Sequence, residues 1–257
     1  EIYTLSLHDA LPIWSAIPTE ATDVEERAVR EATLVAGARR AFIIEEPLAA
    51  ALGAGLDISG PNGHMIVDIG GGTSDIAVLS LGGLVINTSL RIGGDNFDEA
   101  IIRYIKKEYQ LMIGDRTAEE IKTKAGTAYL TEESSQRTVE VRGRDLVSGL
   151  PKTITISGEE SWYAIQEPVA AIVEAVKQVL EMAPPELAAD IVDNGILMTG
   201  GGALLDGLDT LLSAETGLPV LVADDPVSCV AKGTGISLSH MHLLARNGKN
   251  KSGFRPL

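Results

Sequence analysis

A single cysteine, Cys229, stands among 257 residues, so no internal disulfide can form and a disulfide framework of the secreted kind is excluded. The absence fits a reducing cytoplasm, and the lone thiol, between Ser228 and Val230, reads as core packing. Histidine is scarce too: of the four, His240 and His242 are two apart and would leave a helix on different faces, so no metal-ligand set is spelled out. No stretch approaches the ~20 apolar residues that a membrane-spanning helix requires. Basic residues are outnumbered, 21 against 36 acidic, and the net charge of -15 repels nucleic acid and anionic lipid. The one basic cluster, Arg246 to Arg255 with Lys249 and Lys251, reads as a solvated terminus, and no nucleic-acid partner is expected. Several nucleotide and catalytic signatures are missing as well. Gly248-Lys249-Asn250 lacks the rest of a Walker A loop, no G-x-G-x-x-G joins a strand to a helix, and no Gly-x-Ser-x-Gly elbow occurs.

What is present is ample core material, 45% hydrophobic, enough for one large domain or two modest ones. Helical periodicity starts after Pro18, with Thr22 or Asp23 as cap, and runs to Ala38. Residues 41–44 read as a strand and Pro47 to Leu52 as a helix whose first turn accepts proline. Strands follow at 65–69, 76–81 and 84–90, the last two joined at Gly82-Gly83, and then a helix from Phe97 to Tyr109. The polar stretch from Gly114 to Ser157 reads as an inserted subdomain, with a short helix at 117–124 and strands at 138–141 and 153–156. Beyond it come helices at 161–182 and 185–191, a strand at 195–198, a helix at 204–214, a strand at 219–222 and a helix from Pro226 to Leu244.

Strand, glycine-rich turn: the pattern occurs twice. Gly70-Gly71-Gly72, on its own, reads equally as a tight turn or as a phosphate loop, since bare backbone N–H groups can converge on an anion and Thr73 adds a hydroxyl. The flanking carboxylates Asp68 and Asp75 would repel a phosphate unless Mg²⁺, held through water, mediates. Thr199-Gly200-Gly201-Gly202 follows a second apolar strand and precedes a helix, a geometry suited to a nucleotide lying against backbone. Glu45-Glu46-Pro47 fixes a carboxylate at a helix start, where it could position a water for attack on a γ-phosphate.

Taken together, Ile44 to Pro47, Asp68 to Asp75, Gly93-Gly94-Asp95, Gly114 to Lys122 and Thr199 to Ala203 resemble the actin, sugar-kinase and heat-shock chaperone superfamily. Within it, Arg142 to Asp145 with Gly149-Leu150-Pro151, Pro184 to Ile191 and Asp225 to Gly235 are similar to bacterial MreB and its paralogues, and the resemblance covers Ser15 to Leu244. It implies an α/β, actin-like ATPase fold: a ribonuclease H-like mixed sheet flanked by helices, with an inserted small α+β subdomain. It also implies an ATP- and Mg²⁺-binding, filament-forming cytoskeletal protein that directs cell-wall synthesis and rod shape. Such a protein is cytoplasmic, works with the wall-elongation machinery, and associates with the inner membrane face. Carried over by motif, Gly70, Gly71, Gly72 and Thr73 surround the β- and γ-phosphates; Glu119, Glu120 and Lys122 reach ribose and adenine; Thr199, Gly200, Gly201 and Gly202 form the adenosine-side turn; Glu46, in preference to Glu45, positions water. A chaperone-type ATPase domain or a small-molecule kinase of the same superfamily is the alternative.

The family's subdomains map as 15–57 (part of IA), 58–94 and 166–224 (IIA), 95–165 (IIB) and 225–257 (the rest of IA and a tail). Two departures stand out. No Asp-x-Gly-Thr first phosphate loop occurs, so an N-terminally truncated chain with a weak or absent ATPase and no lipid-inserting elements is expected. Residues 1–14 resemble translated vector or adapter sequence, a leader outside the family.

Overall fold

The structure, a computed structural model, describes residues 12–238; His240, His242, the basic cluster, most of the leader and the end of the last expected helix lie outside them. In chain order, β1 (Pro12–Ile17), α1 (Asp23–Val35), β2 (Arg40–Glu45) and α2 (Glu46–Gly53) come first. Then follow β3 (His64–Ile69), β4 (Ser74–Ser80), β5 (Gly83–Leu90) and α3 (Gly94–Tyr109). The insertion holds β6 (Leu111–Met112), α4 (Asp115–Ala125), α5 (Glu132–Gln136), β7 (Thr138–Asp145) and β8 (Pro151–Ser157). The chain returns through α6 (Gly158–Met182), α7 (Pro185–Asn194), β9 (Ile196–Thr199), α8 (Leu208–Thr216), β10 (Val220–Val222) and α9 (Cys229–Ser237).

The central sheet has the order β10-β9-β3-β4-β5, with β10, β9 and β3 parallel and β4 and β5 antiparallel to their neighbours. β1 and β2 pair in parallel beside it, and β6-β7-β8 forms the small sheet of the inserted α+β unit. β1 takes in Pro12, Ile13 and Trp14, which the sequence reading assigns to the leader; Trp14 stacks on Phe42 with ring centroids 5.0 Å apart. The hairpin turn sits one residue earlier than expected. Leu81 and Gly82, with φ 52° and 74°, are its two central residues, the positive pair that a mirror-image two-residue turn demands.

Because side chains alternate across a strand, each face of the sheet builds its own core. Met65, Val67 and Ile69 of β3, with Ile76 and Val78 of β4, join α3 and α6 in the larger cluster. Ile66, Ala77 and Leu79 face the other way and pack with Ile44, Leu48, Ala49, Ala50 and Cys229, on β2, α2 and α9. The same period puts Asp68 and Asp75 on the α2 side. α2 and α9 cross at backbone contact: a Cβ on Gly233 would lie 1.7 Å from the Ala49 carbonyl oxygen.

Some boundaries shift for local reasons. α1 ends at Val35 rather than Ala38, because Gly37 takes φ +103°. The helix expected from Leu204 starts later: residues 201–204 form a 3₁₀ turn, and α8 starts only after Gly207, which has φ +72°. The last expected helix begins as a second 3₁₀ turn, Pro226–Ser228, before α9.

Candidate nucleotide site

β3 and β9 lie side by side in parallel with Asp68 opposite Thr199, so the glycine turns that follow them leave the sheet at one end. They touch. Gly200 has φ +81°, and a Cβ there would sit 2.2 Å from the Ile69 carbonyl oxygen and 2.8 Å from Asp68 Oδ1. At Gly202 a Cβ would meet Ile69 Cγ2 at 2.2 Å, so the second turn packs on the end of β3 only without side chains.

The first turn is braced from behind by α3. Gly70 N–H donates to the Thr73 carbonyl at 2.8 Å, while Gly94 and Asp95 N–H groups donate to the carbonyls of Gly70 and Gly71 at 2.9 and 2.8 Å. Gly71 and Gly72 are exposed, and nothing lies within 4 Å of where a Gly72 Cβ would be. The loop therefore offers bare backbone on its open side, which suits the oxygens of an anion.

Three carboxylates converge beside it. Asp68 and Asp75 are register partners across β3 and β4, 5% and 1% exposed, and Glu46 opens α2 against the same face. Burial, reinforced by the charges of Asp75 and Asp68, lifts the Glu46 carboxyl to about 7. Burial likewise lifts Asp68 to about 6, against the opposing pull of the Thr199 hydroxyl, which donates to Asp68 Oδ1 at 3.0 Å; Asp75 adds repulsion. Asp75 Oδ1 accepts from both Thr19 N–H and Thr19 Oγ1, each at 2.9 Å, whereas its buried Oδ2 has no partner among the described residues. Mutually repelling acids with an orphaned oxygen fit a divalent cation, which would relieve both. Among the described residues no three His, Cys, Asp or Glu are placed to grip a metal directly, so the carboxylates would reach it through water.

The remaining residues singled out by sequence divide. Glu45 is exposed, and of the pair it is Glu46 that feels Asp68 and Asp75. Glu119 and Glu120 line an open depression on α4 with Arg116 and Thr123, and Glu120 pairs with Lys124 at 2.6 Å. Lys122 turns inward instead: Nζ donates to Asp98 Oδ2 at 2.8 Å and to the Gly94 carbonyl at 3.1 Å, tying α4 to the turn of α3 that braces the first glycine loop. Asp98 and Thr19 went unsingled in the sequence. Asp98 carries the i, i+4 helical spacing from Gly94, but no pattern in the sequence connects Thr19 to β4.

Residues 6–246 match the family described as MreB/Mbl protein. The chain is 52% identical over 229 residues to the cell shape-determining protein Mbl of Bacillus subtilis (strain 168), covering 89% of this chain and 68% of that one. It is 54% identical over 222 residues to the cell shape-determining protein MreB of Escherichia coli (strain K12), covering 86% of this chain but 63% of the relative, less than two thirds of its length. Among solved structures, MreB5 of Spiroplasma citri bound to AMPPNP is 40% identical with a TM-score of 0.85, over 91% of this chain and 70% of that one. The MamK double helical filament, 21% identical with a TM-score of 0.75 over 90% and 69% of the two chains, shares the fold.

Proposed function

The chain belongs to the MreB/Mbl family, and from that membership we propose that the whole protein is an ATP-binding bacterial actin homologue that assembles with itself into filaments and directs wall synthesis and rod shape. The observation that carries this reading is the meeting of two glycine turns with Glu46, Asp68 and Asp75 at one end of the sheet. Two solved structures with this fold, MreB5 of Spiroplasma citri bound to AMPPNP and to ADP, support the nucleotide. The protein acts in the cytoplasm, against the inner membrane face, with the wall-elongation machinery as partner.

Gly70, Gly71, Gly72 and Thr73 cradle the β- and γ-phosphates with backbone N–H groups and a hydroxyl. Thr199 to Gly202 form the adenosine-side wall, a turn that its missing side chains let pack directly on Ile69 at the end of β3. Glu119 and Glu120 face the ribose and adenine from α4; Lys122 holds that helix in place through Asp98 and Gly94. Asp68 and Asp75 would hold a hydrated Mg²⁺ through water, and the ion, when bound, would neutralise charge on the phosphates. Glu46, raised to about 7, lies in the range suited to taking a proton from an attacking water and orients that water from the start of α2.

In the whole protein, Glu46→Ala should slow phosphate release by about 10²-fold or more and leave ATP binding within a few-fold. Equal loss of both would make Glu46 structural and overturn its role. Sedimentation with and without ATP tests assembly: the same soluble fraction in both would count against a nucleotide-controlled filament.

A further inference from the structure

We propose that Thr19, on the turn after β1, is a positioning residue of the nucleotide site: it holds Asp75 Oδ1 so that Oδ2 is presented to the phosphate cleft. The inference rests on the nucleotide-binding reading above and adds to it a residue from outside the glycine loops.

The geometry is specific. Both the N–H and the Oγ1 of Thr19 donate to the same carboxylate oxygen, each at 2.9 Å. Asp75 is 1% exposed, so it cannot trade these bonds for water, and they fix the plane of the carboxylate. Oδ2, the other oxygen, is buried and has no hydrogen bond among the described residues. A buried carboxylate with one oxygen doubly satisfied and the other bare is costly unless something comes to it. The ionisable neighbours of Asp75 on this face are Asp68, its register partner, and Glu46, both acids that the Asp75 charge pushes upward. Once ionised, these acids supply no compensation, so the counterpart that Oδ2 calls for is cationic.

Thr19 is also anchored from its neighbour. Glu20 accepts from Ser89 N–H at 3.2 Å, so the same turn grips both β4 and β5. β1 belongs to the small parallel pair with β2, whereas Asp75 belongs to the central sheet. The turn thereby sets the distance between the element carrying Glu46, which follows β2, and the strand carrying Asp75. A shift of that turn would move the carboxylates relative to one another without touching either glycine loop.

The test uses the whole protein and two titrations of a fluorescent ADP analogue, one at saturating Mg²⁺ and one in EDTA. Thr19→Val keeps the backbone bond and removes the hydroxyl, so the Mg²⁺-dependent gain in affinity should fall about 10-fold, with the EDTA affinity unchanged. Thr19→Ser should restore the gain, which a purely steric role would not allow. Thr19→Val binding as wild type under both conditions, or losing affinity equally under both, overturns the proposal. If Asp75→Asn abolishes the Mg²⁺-dependent gain while Thr19→Val leaves it intact, this inference fails and the nucleotide reading stands. If the unaltered protein shows no Mg²⁺-dependent ADP binding, both fall. Should Thr19→Val not fold by circular dichroism, the Thr19→Ser and Thr19→Asn pair decides: serine must keep the gain and asparagine, which is longer, must reduce it.

Discussion

Thr199 Oγ1 donates to Asp68 Oδ1 at 3.0 Å across two parallel strands, joining the residues from which both glycine turns depart. Neither side chain sees solvent to any extent, so the bond is made in a medium that penalises its loss. It favours the charged form of Asp68, which burial disfavours. Thr199→Val, nearly the same shape, should therefore cost about 1.5–3 kcal/mol of unfolding free energy at pH 7, the range for a hydrogen bond to a charged group. Urea unfolding of the chain measures it. A loss below a few tenths of a kcal/mol would mean that Asp68 is already neutral and takes nothing from the hydroxyl.

How much of this arrangement is legible in the sequence depends on whether a residue's partner is local. Residues 65–69 running into three glycines announce a buried strand and a turn, and Gly200 and Gly202 announce a second. The period-2 pattern that brings Asp68 and Asp75 to one face is also readable, since Ile66, Ala77 and Leu79 share it. What cannot be read is pairing between distant segments. Thr19 meets Asp75 56 positions away, and Asp68 meets Thr199 131 positions away. Lys122 is likewise paired at a distance: the motif that marks it for the ligand gives no sign that its ammonium bonds Asp98 and Gly94, 24 and 28 positions away. β1 has no counterpart among the expected strands: Pro12 to Trp14 read as leader, and their order comes from pairing with Arg40, Ala41 and Phe42.

The Lys122–Asp98 pair has side chains only 17% and 13% exposed. Burial pushes the Asp98 carboxyl up in spite of Lys122, and Glu119 and Asp95 add to the push. Asp98 Oδ1 also lacks a partner among the described residues. Desolvation thus outweighs attraction, so the pair specifies the α3–α4 geometry more than it stabilises. Lys122→Met should destabilise by about 3 kcal/mol, because it strands a buried charge. Adding Asp98→Leu should recover most of that loss. Additive losses in thermal or urea unfolding would show that each residue stabilises independently.

The glycines of the two turns should separate by substitution. Gly72 has open space where a Cβ would go and no positive φ, so Gly72→Ala should leave stability within about 0.5 kcal/mol. Nucleotide affinity should nonetheless drop, since the methyl would stand on the exposed side of the phosphate loop. Gly200→Ala meets both a positive φ and a 2.2 Å contact with the Ile69 carbonyl, so it should cost about 3 kcal/mol or more. Parallel unfolding and ADP-binding curves check the pair. Unchanged affinity in Gly72→Ala would remove that glycine from the site.

Stability should fall as pH rises from 5 to 8, and Glu46 should carry much of the fall. Its carboxyl titrates near 7 in the folded chain, against about 4.3 in an unfolded one. Between those values the folded state holds a proton that the unfolded state has released, so the unfolded state gains on every step upward in pH. Asp68, lifted to about 6, adds to the same slope in the lower half of the window. Acids held low by hydrogen bonds, such as the half-buried Asp145 at about 2 beneath the N–H of Ser148, are ionised throughout and contribute none of it. Glu46→Gln removes the titration while keeping the shape, so the variant should show a flatter pH dependence and exceed the unaltered chain in stability at pH 8. Saturating Mg²⁺-ADP should flatten the unaltered chain's profile too, because a cation near the three carboxylates lowers the cost of ionising them. Urea midpoints at pH 5, 6, 7 and 8 for the two proteins decide the matter. Parallel profiles would mean that Glu46 is ionised over the whole range, and that the crowding of charge beside the first glycine loop is relieved by something other than a proton.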